Sequence, residues 1–203
     1  MTVIGVTGNI GSGKTTVSRL LAEEYDCYYL NADDIGRVVA EPGGEAYAGL
    51  RAAFGDKHFL PDGRLDRPAM AELVFHDKRE LERLNGIMHP AILRHIQREI
   101  DAVHQADPAQ VIIVEAALLI EANYLGILDK LWLVWADDDV RLQRVMARDN
   151  ITAEQARARM NNQMPQQEKL KYAQYVLHNN EGINELKNEL AAIWRQFTAD
   201  MSA

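Results

Sequence analysis

The chain has 203 residues, of which 47% are hydrophobic and 26% charged, an ordinary composition for one compact unit or for a core domain carrying insertions. A formal net charge of −8 argues against non-specific nucleic-acid binding and requires any anionic ligand to be held by a local group of donors. The single cysteine, Cys27, cannot form an internal disulfide, and neither a signal sequence nor a membrane-spanning run is recognisable. We therefore expect a cytoplasmic protein with no membrane and no nucleic-acid partner.

Short apolar runs without polar alternation predict strands that are buried on both faces of a parallel sheet. They lie at residues 2–7, 28–30, 111–114 and 131–136. Val17, Leu20 and Leu21 follow the first run at helical spacing. Strands that alternate with helices predict an α/β fold with a parallel sheet core.

Two insertions interrupt this alternation. The first, residues 37–108, is too long for a loop and carries four apolar sets at helical spacing, so it predicts a helical subdomain. Those sets are Leu50/Ala53/Phe54, Met70/Leu73/Val74, Leu81/Leu84/Met88 and Ile92/Ile96/Ile100/Val103. The second begins near Asp138, and its residues 141–171 hold seven Lys/Arg against three Asp/Glu, which indicates an anionic partner. Within it, Thr152 to Gln155 has the form of a helix capping box.

The motif G-x-x-x-x-G-K-T runs from Gly8 to Thr15, after a predicted strand and before a predicted helix, as a phosphate-binding loop requires. Its glycines let successive backbone N–H groups converge on phosphate oxygens, and the helix N-terminus adds its positive dipole. Lys14 is expected to reach the β- and γ-phosphates, and Thr15 to hold Mg²⁺. The expected ATP-binding residues of the motif are Gly8, Gly11, Ser12, Gly13, Lys14, Thr15 and Thr16.

A phosphate-binding loop alone specifies only a nucleoside triphosphate ligand. The guanine-reading Asn-Lys-x-Asp segment of GTPases is not in the sequence. A helical insertion after the second strand and an arginine-rich insertion after the fourth fit a small-molecule kinase, in which water must be excluded while an acceptor is aligned.

The order and spacing of further motifs resemble the dephospho-CoA kinase family along nearly the whole chain. The matching segments are Gly8 to Thr16, Ala32-Asp33, Pro42-Gly43, Phe54-Gly55, Asp62 to Arg67, Val74-Phe75, Leu84-Asn85, His89-Pro90, Leu118 to Glu121, Arg144 to Asp149, Gln163 and Asn179. The resemblance implies a nucleoside-monophosphate-kinase-like P-loop fold and ATP-dependent phosphorylation of the ribose 3′-hydroxyl of dephospho-CoA. It implies a nucleotide-binding core (1–36, 109–137 and 172–203), a helical acceptor-binding insertion (37–108) and a lid (138–171).

The resemblance also implies roles for single residues. Asp33 is expected to be the catalytic carboxylate that accepts the proton of the acceptor hydroxyl, and it also counts among the acceptor-binding residues. A helix N-cap is the alternative interpretation of Asp33, and Asp34 is the neighbouring alternative base. Asn31 stands where relatives often have Asp, which weakens any metal-binding role for that position. Ala117 and Gln174 are further departures from the family pattern, at positions without an obvious chemical task.

Arg144 and Arg148 correspond to lid arginines that contact ATP phosphates and stabilise charge during transfer, with a solvated helix face as the alternative. Arg141 receives no role. Asn179 resembles a position near the ATP adenine, although a turn-forming asparagine explains it almost as well. Glu115 ends the third strand, where it can orient Mg²⁺ or act as a buried acid paired with a neighbour.

Within the helical insertion, Arg67 and His89 resemble acceptor-pocket positions. Asp66 is an alternative partner for Arg67, and a hydrogen-bonded core histidine is the alternative for His89. Phe54 and Phe75 are predicted to lie in the core. The expected ligands are ATP, dephospho-CoA and Mg²⁺; the oligomeric state is open, with a monomer favoured. The alternatives are a P-loop kinase for a different hydroxyl acceptor and a P-loop ATPase or ATP-binding module without an acceptor.

Overall fold

A computed structural model describes residues 2–202, and its centre is a five-stranded sheet. The strands are β1 (Thr2–Thr7), β2 (Tyr28–Asn31), β3 (Val111–Glu115), β4 (Lys130–Trp135) and β5 (Tyr175–His178). They are arranged in the order β2-β3-β1-β4-β5. The four predicted apolar runs are therefore strands.

The register of the sheet places the carboxyl ends of its strands at one edge. β1 pairs in parallel with β3 and with β4, and β4 pairs in parallel with β5. Val6 stands opposite Glu115, and Trp135 stands opposite His178. The segments that follow these strands therefore begin at the same carboxyl edge, where ligands bind in open α/β sheets.

Nine α-helices lie among the described residues 2–202. They are α1 (Lys14–Tyr25), α2 (Ala32–Val39), α3 (Tyr47–Phe54), α4 (Arg67–His76), α5 (Lys78–Ala106), α6 (Asp138–Asp149), α7 (Ala153–Asn161), α8 (Gln166–Lys169) and α9 (Ile183–Ser202). The predicted capping box is confirmed, because Thr152 and Gln155 cap α7 reciprocally. No helix in this part of the chain has the length and apolar character needed to cross a membrane.

The chain divides into two compact units. The first runs up to Leu30 and resumes at Ala106, and the second is Asn31–Gln105. Residues 138–171, the predicted lid, belong to the first unit. The predicted functions of core, insertion and lid stay predictions.

The core of the first unit is built on strands that are apolar on both faces. Every residue of β1 is buried, and the four central residues of β4 are buried as well. Trp132 lies at the middle of this core, with its ring 5.5 Å from that of Phe197 on α9. Strands covered on both faces in this way need no polar alternation, which is the pattern the sequence shows.

The second unit is built mainly from α2 to α5. The two apolar sets on either side of Pro90 belong to one helix, the 29-residue α5. Phe54 is buried as predicted, but Phe75 is 73% exposed, so its prediction as a core residue is wrong. Met70 is the buried residue of α4, and Phe75 lies five positions further on, outside the i, i+3, i+4 stripe that begins at Met70.

Candidate active site

The loop between β1 and α1 has the conformation of a phosphate cradle. Gly11 and Gly13 have φ angles of +81° and +90°, in the left-handed region that glycine enters without steric cost. The Ser12 N–H donates to the Asn9 carbonyl at 3.0 Å and closes the turn before Lys14 begins α1. No acidic side chain occupies the first turn of α1. The amino end of this helix is therefore suited to an anion.

Two glycines of this loop are also required by close neighbours. A Cβ at Gly11 would lie 2.7 Å from the carbonyl oxygen of Arg141, and a Cβ at Gly13 would collide with the Asn179 Nδ2 atom. That amide nitrogen donates to the Ser12 carbonyl at 2.8 Å. Asn179, which follows β5, thus helps to fix the phosphate-binding loop, a role beyond the turn-forming one considered from the sequence.

Thr15 connects the loop to the carboxyl end of β3. Its hydroxyl donates to the Glu115 Oε1 atom at 2.6 Å, and the Tyr29 hydroxyl donates to Oε2 of the same carboxylate. Glu115 is buried. A threonine hydroxyl next to a carboxylate provides the hard oxygen donors that Mg²⁺ prefers. Both interpretations of Glu115 fit this arrangement, because a buried acid paired with Thr15 also lies beside the predicted metal ligand.

A buried lysine lies in the same region. Lys169 of α8 has no solvent exposure; its ammonium donates to the Ala117 carbonyl at 2.6 Å and pairs with Glu121 at 3.0 Å. The pKa of Lys169 is lowered, chiefly by burial and also by the positive charge of Lys14. The bond to Glu121 acts in the opposite direction. Lys14 therefore has a second lysine in its electrostatic neighbourhood, and the charge of that second lysine is paired with Glu121.

The two arginines that are predicted to act from a lid differ in their partners. Arg144 donates to the carbonyl oxygens of Asn179 at 2.7 Å and Glu181 at 3.3 Å, and it lines a cleft of about 230 Å³ together with Gly13. Arg148 instead makes two hydrogen bonds with Asp149, at 2.7 and 3.0 Å, on an exposed part of α6. The structure brings Arg144 to the phosphate-binding loop, whereas Arg148 is engaged in a local ion pair.

In the second unit, the N-cap of α2 is Asn31 rather than Asp33. The Asn31 side chain accepts from the backbone N–H of Asp33 at 2.8 Å and of Asp34 at 3.2 Å. Asparagine caps a helix as well as aspartate does, which accounts for its presence at this position. Asp34 pairs with Arg37 at 2.6 Å. The Asp33 side chain is exposed, and its carboxylate is not needed to cap α2.

The two predicted acceptor residues also lie in the second unit. Arg67 donates to the Arg37 carbonyl at 3.2 Å and lies 3.5 Å from a carboxylate oxygen of Glu41. Asp66 caps α4, and the ion pair that the structure shows for Arg67 is with Glu41. Arg67 lines a cleft of about 320 Å³. His89 of α5 is half-buried, and burial lowers the pKa of its imidazole, which favours the neutral form.

Sequence reasoning missed several residues of the first unit, chiefly Arg141, Gln163 and Lys169. Arg141 lies four residues before the buried Val145, on the apolar stripe of α6, and this spacing is the signal that could have found it. The sequence identifies Gln163 only as one of the positions that resemble the kinase family, without a role. Nothing in the sequence distinguishes Lys169 from a solvated lysine.

A parallel sheet with this strand order, a phosphate-binding loop after β1 and a buried carboxylate at the end of β3 defines a P-loop kinase fold. The family model CoaE, dephospho-CoA kinase, matches residues 2–185. Dephospho-CoA kinase from Moorella thermoacetica is 36% identical over 97% of this chain and 92% of its own, and that from Geobacter sulfurreducens is 38% identical over 96% and 98%. The chain belongs to the dephospho-CoA kinase family.

Solved structures agree with this fold. The crystal structure of TT1252 from Thermus thermophilus has a TM-score of 0.80 and 34% identity, and the comparison covers 96% of this chain and 97% of that one. Dephospho-CoA kinase from Campylobacter jejuni has a TM-score of 0.71 at 23% identity, with 98% of each chain covered. Shikimate kinase from Acinetobacter baumannii, at 17% identity and a TM-score of 0.57, shares the fold over 98% of this chain and 94% of its own.

Proposed function

We propose that this protein transfers the γ-phosphoryl group of ATP to the ribose 3′-hydroxyl of dephospho-CoA, giving coenzyme A and ADP in the last step of coenzyme A biosynthesis. The observation that carries the proposal is the phosphate-binding loop joined through Thr15 to Glu115, in a chain that matches its family from residue 2 to residue 185. The acceptor is inferred from the family, and the phosphate chemistry follows from the loop.

The phosphate-binding loop and Lys14 hold the triphosphate. The backbone N–H groups at the start of α1 face the phosphate oxygens, and Lys14 contacts the β- and γ-phosphates. Thr15 and Glu115 are the residues that would hold Mg²⁺. When bound, Mg²⁺ neutralises charge on the phosphate oxygens.

Asp33 is the proposed general base. Since Asn31 caps α2 and Asp34 is paired with Arg37, Asp33 is the exposed carboxylate of this turn that is left for an acceptor. It accepts the proton of the 3′-hydroxyl as the oxygen attacks the γ-phosphorus. Asp33 thus increases the rate of transfer by orienting the hydroxyl and by accepting its proton.

Five further residues complete the proposed contacts. Arg144 and Arg148 stabilise the phosphoryl group in transfer, which requires Arg148 to exchange its pair with Asp149 for phosphate oxygens. Asn179 lies near the adenine of ATP, consistent with its place in the 230 Å³ cleft. Arg67 and His89 bind the acceptor. A cytoplasmic location and a monomeric state complete the proposal.

The direct test measures ADP release from Mg·ATP with and without dephospho-CoA, using AMP and adenosine as competing acceptors. Strong stimulation by dephospho-CoA, with coenzyme A as the product, is the expected result. Stimulation only by another acceptor would retain the kinase chemistry and reject the substrate. Turnover that ignores every acceptor would identify an ATPase instead.

A further inference from the structure

Ile10, in the phosphate-binding loop, is held from three directions by the predicted lid. Its backbone N–H donates to the Gln163 Oε1 atom at 2.8 Å. Its carbonyl accepts from the Arg141 Nη1 atom at 3.4 Å. Its side chain packs against the small apolar cluster between α6 and α7, formed by Leu142, Val145 and Ala156. Both peptide groups flanking the Ile10 Cα are therefore fixed by residues more than a hundred positions away.

The neighbouring residue, Asn9, is held by the same segment. Its side-chain amide donates to the Met164 carbonyl at 2.9 Å, and Asn9 is only 2% exposed. The Met164 N–H in turn donates to the carboxylate of Glu121 at 3.3 Å. The same carboxylate pairs with Lys169. The segment 163–169 thus contacts the loop at one end and the chain beyond β3 at the other.

Arg141 is more than a surface cation. It is 4% exposed, and its second amino group pairs with Asp138 at 2.6 Å. Within the part of the chain that the structure describes, its buried Nε atom has no hydrogen-bond partner. Burying a guanidinium is costly unless the group makes specific contacts. The contact with the Ile10 carbonyl stabilises the buried guanidinium and helps to hold the loop in its conformation.

We infer that Gln163 is a positioning residue for ATP, which acts by holding the Ile10 peptide in the conformation that the phosphate-binding loop needs, with Arg141 supporting the same peptide from the other side. Gln163 does not need to touch the nucleotide. The inference rests on the proposed function only as far as ATP binding at the phosphate-binding loop, and it does not depend on the identity of the acceptor.

This positioning predicts an effect that is confined to the nucleotide. Without the Gln163 acceptor, the Ile10 N–H loses its partner, and the loop samples conformations that do not bind phosphate. Part of the binding free energy is then spent on ordering the loop. Loss of one such hydrogen bond corresponds to an approximately fivefold to tenfold weaker affinity for ATP.

Three variants isolate the contact. Gln163→Met keeps the length of the side chain and removes the acceptor, whereas Gln163→Glu keeps an acceptor oxygen. A cavity of about 340 Å³ is lined by Gln163, Arg141 and Gln167. Gln167→Met is the matched control, because Gln167 borders this cavity but is exposed on α8. Calorimetry measures binding of ADP and of a non-hydrolysable ATP analogue, and steady-state kinetics give KM for each substrate. Measurements at low and at raised salt separate the added charge of Gln163→Glu from the loss of the bond.

For Gln163→Met we expect the dissociation constant and KM for the nucleotide to rise about fivefold to tenfold. The KM for dephospho-CoA, kcat and the thermal midpoint should stay close to those of the wild type. Gln163→Glu at raised salt should bind nearly as well as the wild type, and Gln167→Met should be unchanged. Unaltered nucleotide affinity in Gln163→Met, or equal losses for both substrates, would overturn the inference. If the wild type itself binds no nucleotide, the proposed function fails as well.

Discussion

The two units of the chain hold their proposed functional residues in different ways. In the first unit, hydrogen bonds to buried groups join segments far apart in sequence, such as Thr15 to Glu115 and Asn179 to Ser12. In the second unit, the bonds around Asp33 come from the same turn of α2, and Arg67 lies on an exposed surface. The phosphate-binding loop is thus fixed by the fold, whereas the proposed acceptor residues are fixed mainly by their own helices.

This difference has a chemical consequence. A site that stabilises phosphate charge works best when its donors are already oriented, since no reorganisation is then needed during the reaction. An acceptor site must admit and release a large substrate, and exposed side chains on helices allow that. Loss of the buried bond between Asn179 and Ser12 should therefore alter nucleotide binding and stability together, and substitutions in the second unit should alter turnover with little loss of stability.

The largest effect is expected for Lys14→Ala. The phosphates lose their main side-chain cation, so transfer should fall by about a thousandfold or more. The fold should be retained, because Lys14 and Lys169 carry like charges and removal of one relieves repulsion at the other. Coupled ADP-release assays and thermal unfolding test both statements, with Lys171→Ala as the control, since Lys171 is exposed and pairs with Glu168. A clear drop in thermal midpoint for Lys14→Ala, without one for Lys171→Ala, would contradict the prediction that Lys14 serves transfer and is not needed for the fold.

The second prediction concerns Asp33→Asn. Loss of the proposed general base should lower kcat by about tenfold to a hundredfold, with the KM for ATP unchanged. The free energy of unfolding should also be unchanged, because the Asn31 cap remains in place. The measurement is steady-state kinetics with both substrates varied.

Asp34→Asn is the matched control for Asp33→Asn. The two residues are adjacent on α2, but Asp34 is engaged with Arg37. We expect Asp34→Asn to keep nearly full turnover. If Asp34→Asn loses turnover and Asp33→Asn does not, then Asp34 is the base and the interpretation of this turn must be reversed.

The third prediction sharpens the comparison within the first unit. Asn179→Ala removes the donor to the Ser12 carbonyl, and leaving that buried group unsatisfied should cost about 1–3 kcal/mol of unfolding free energy. Nucleotide affinity should fall with it, by about tenfold. Glu181→Ala is the control, because Glu181 is exposed and only its backbone carbonyl contacts Arg144. Chemical denaturation and calorimetry measure the two losses, and a loss of stability without a loss of affinity would separate Asn179 from the site.

The sequence predicts well those features that a short contiguous pattern determines. The phosphate-binding loop is one such feature, because its glycines, lysine and threonine are adjacent in the chain. The strands are another, since burial on both faces leaves a continuous apolar run. Glu115 could be placed at the end of β3 for the same reason, although its bond to Thr15 depends on the register between strands.

The remaining features depend on packing between distant segments. The sequence around Gln163 and Lys169 does not indicate their contacts. Only the folded chain shows that Gln163 holds Ile10 and that Lys169 is fully buried. The prediction for Phe75 is wrong because its position on α4, outside the stripe that begins at Met70, determines its exposure. Arg141 shows the converse case, a charged residue placed on an apolar stripe by a contact that the sequence does not reveal.

The smallest predicted effect comes from His89 in the second unit. Burial lowers the pKa of its imidazole below the ordinary value of 6.5, so the unfolded chain binds a proton more readily than the folded one in the range just below that value. The contribution of His89 to the unfolding free energy should therefore decrease as the pH falls through this range. Urea denaturation between pH 7.5 and 5.5 measures the unfolding free energy of the wild type minus that of His89→Gln, and this value should decrease toward low pH. An increase in this value as the pH falls would mean that the protonated imidazole is the stabilised form, and that His89 is held by a negative partner rather than by burial.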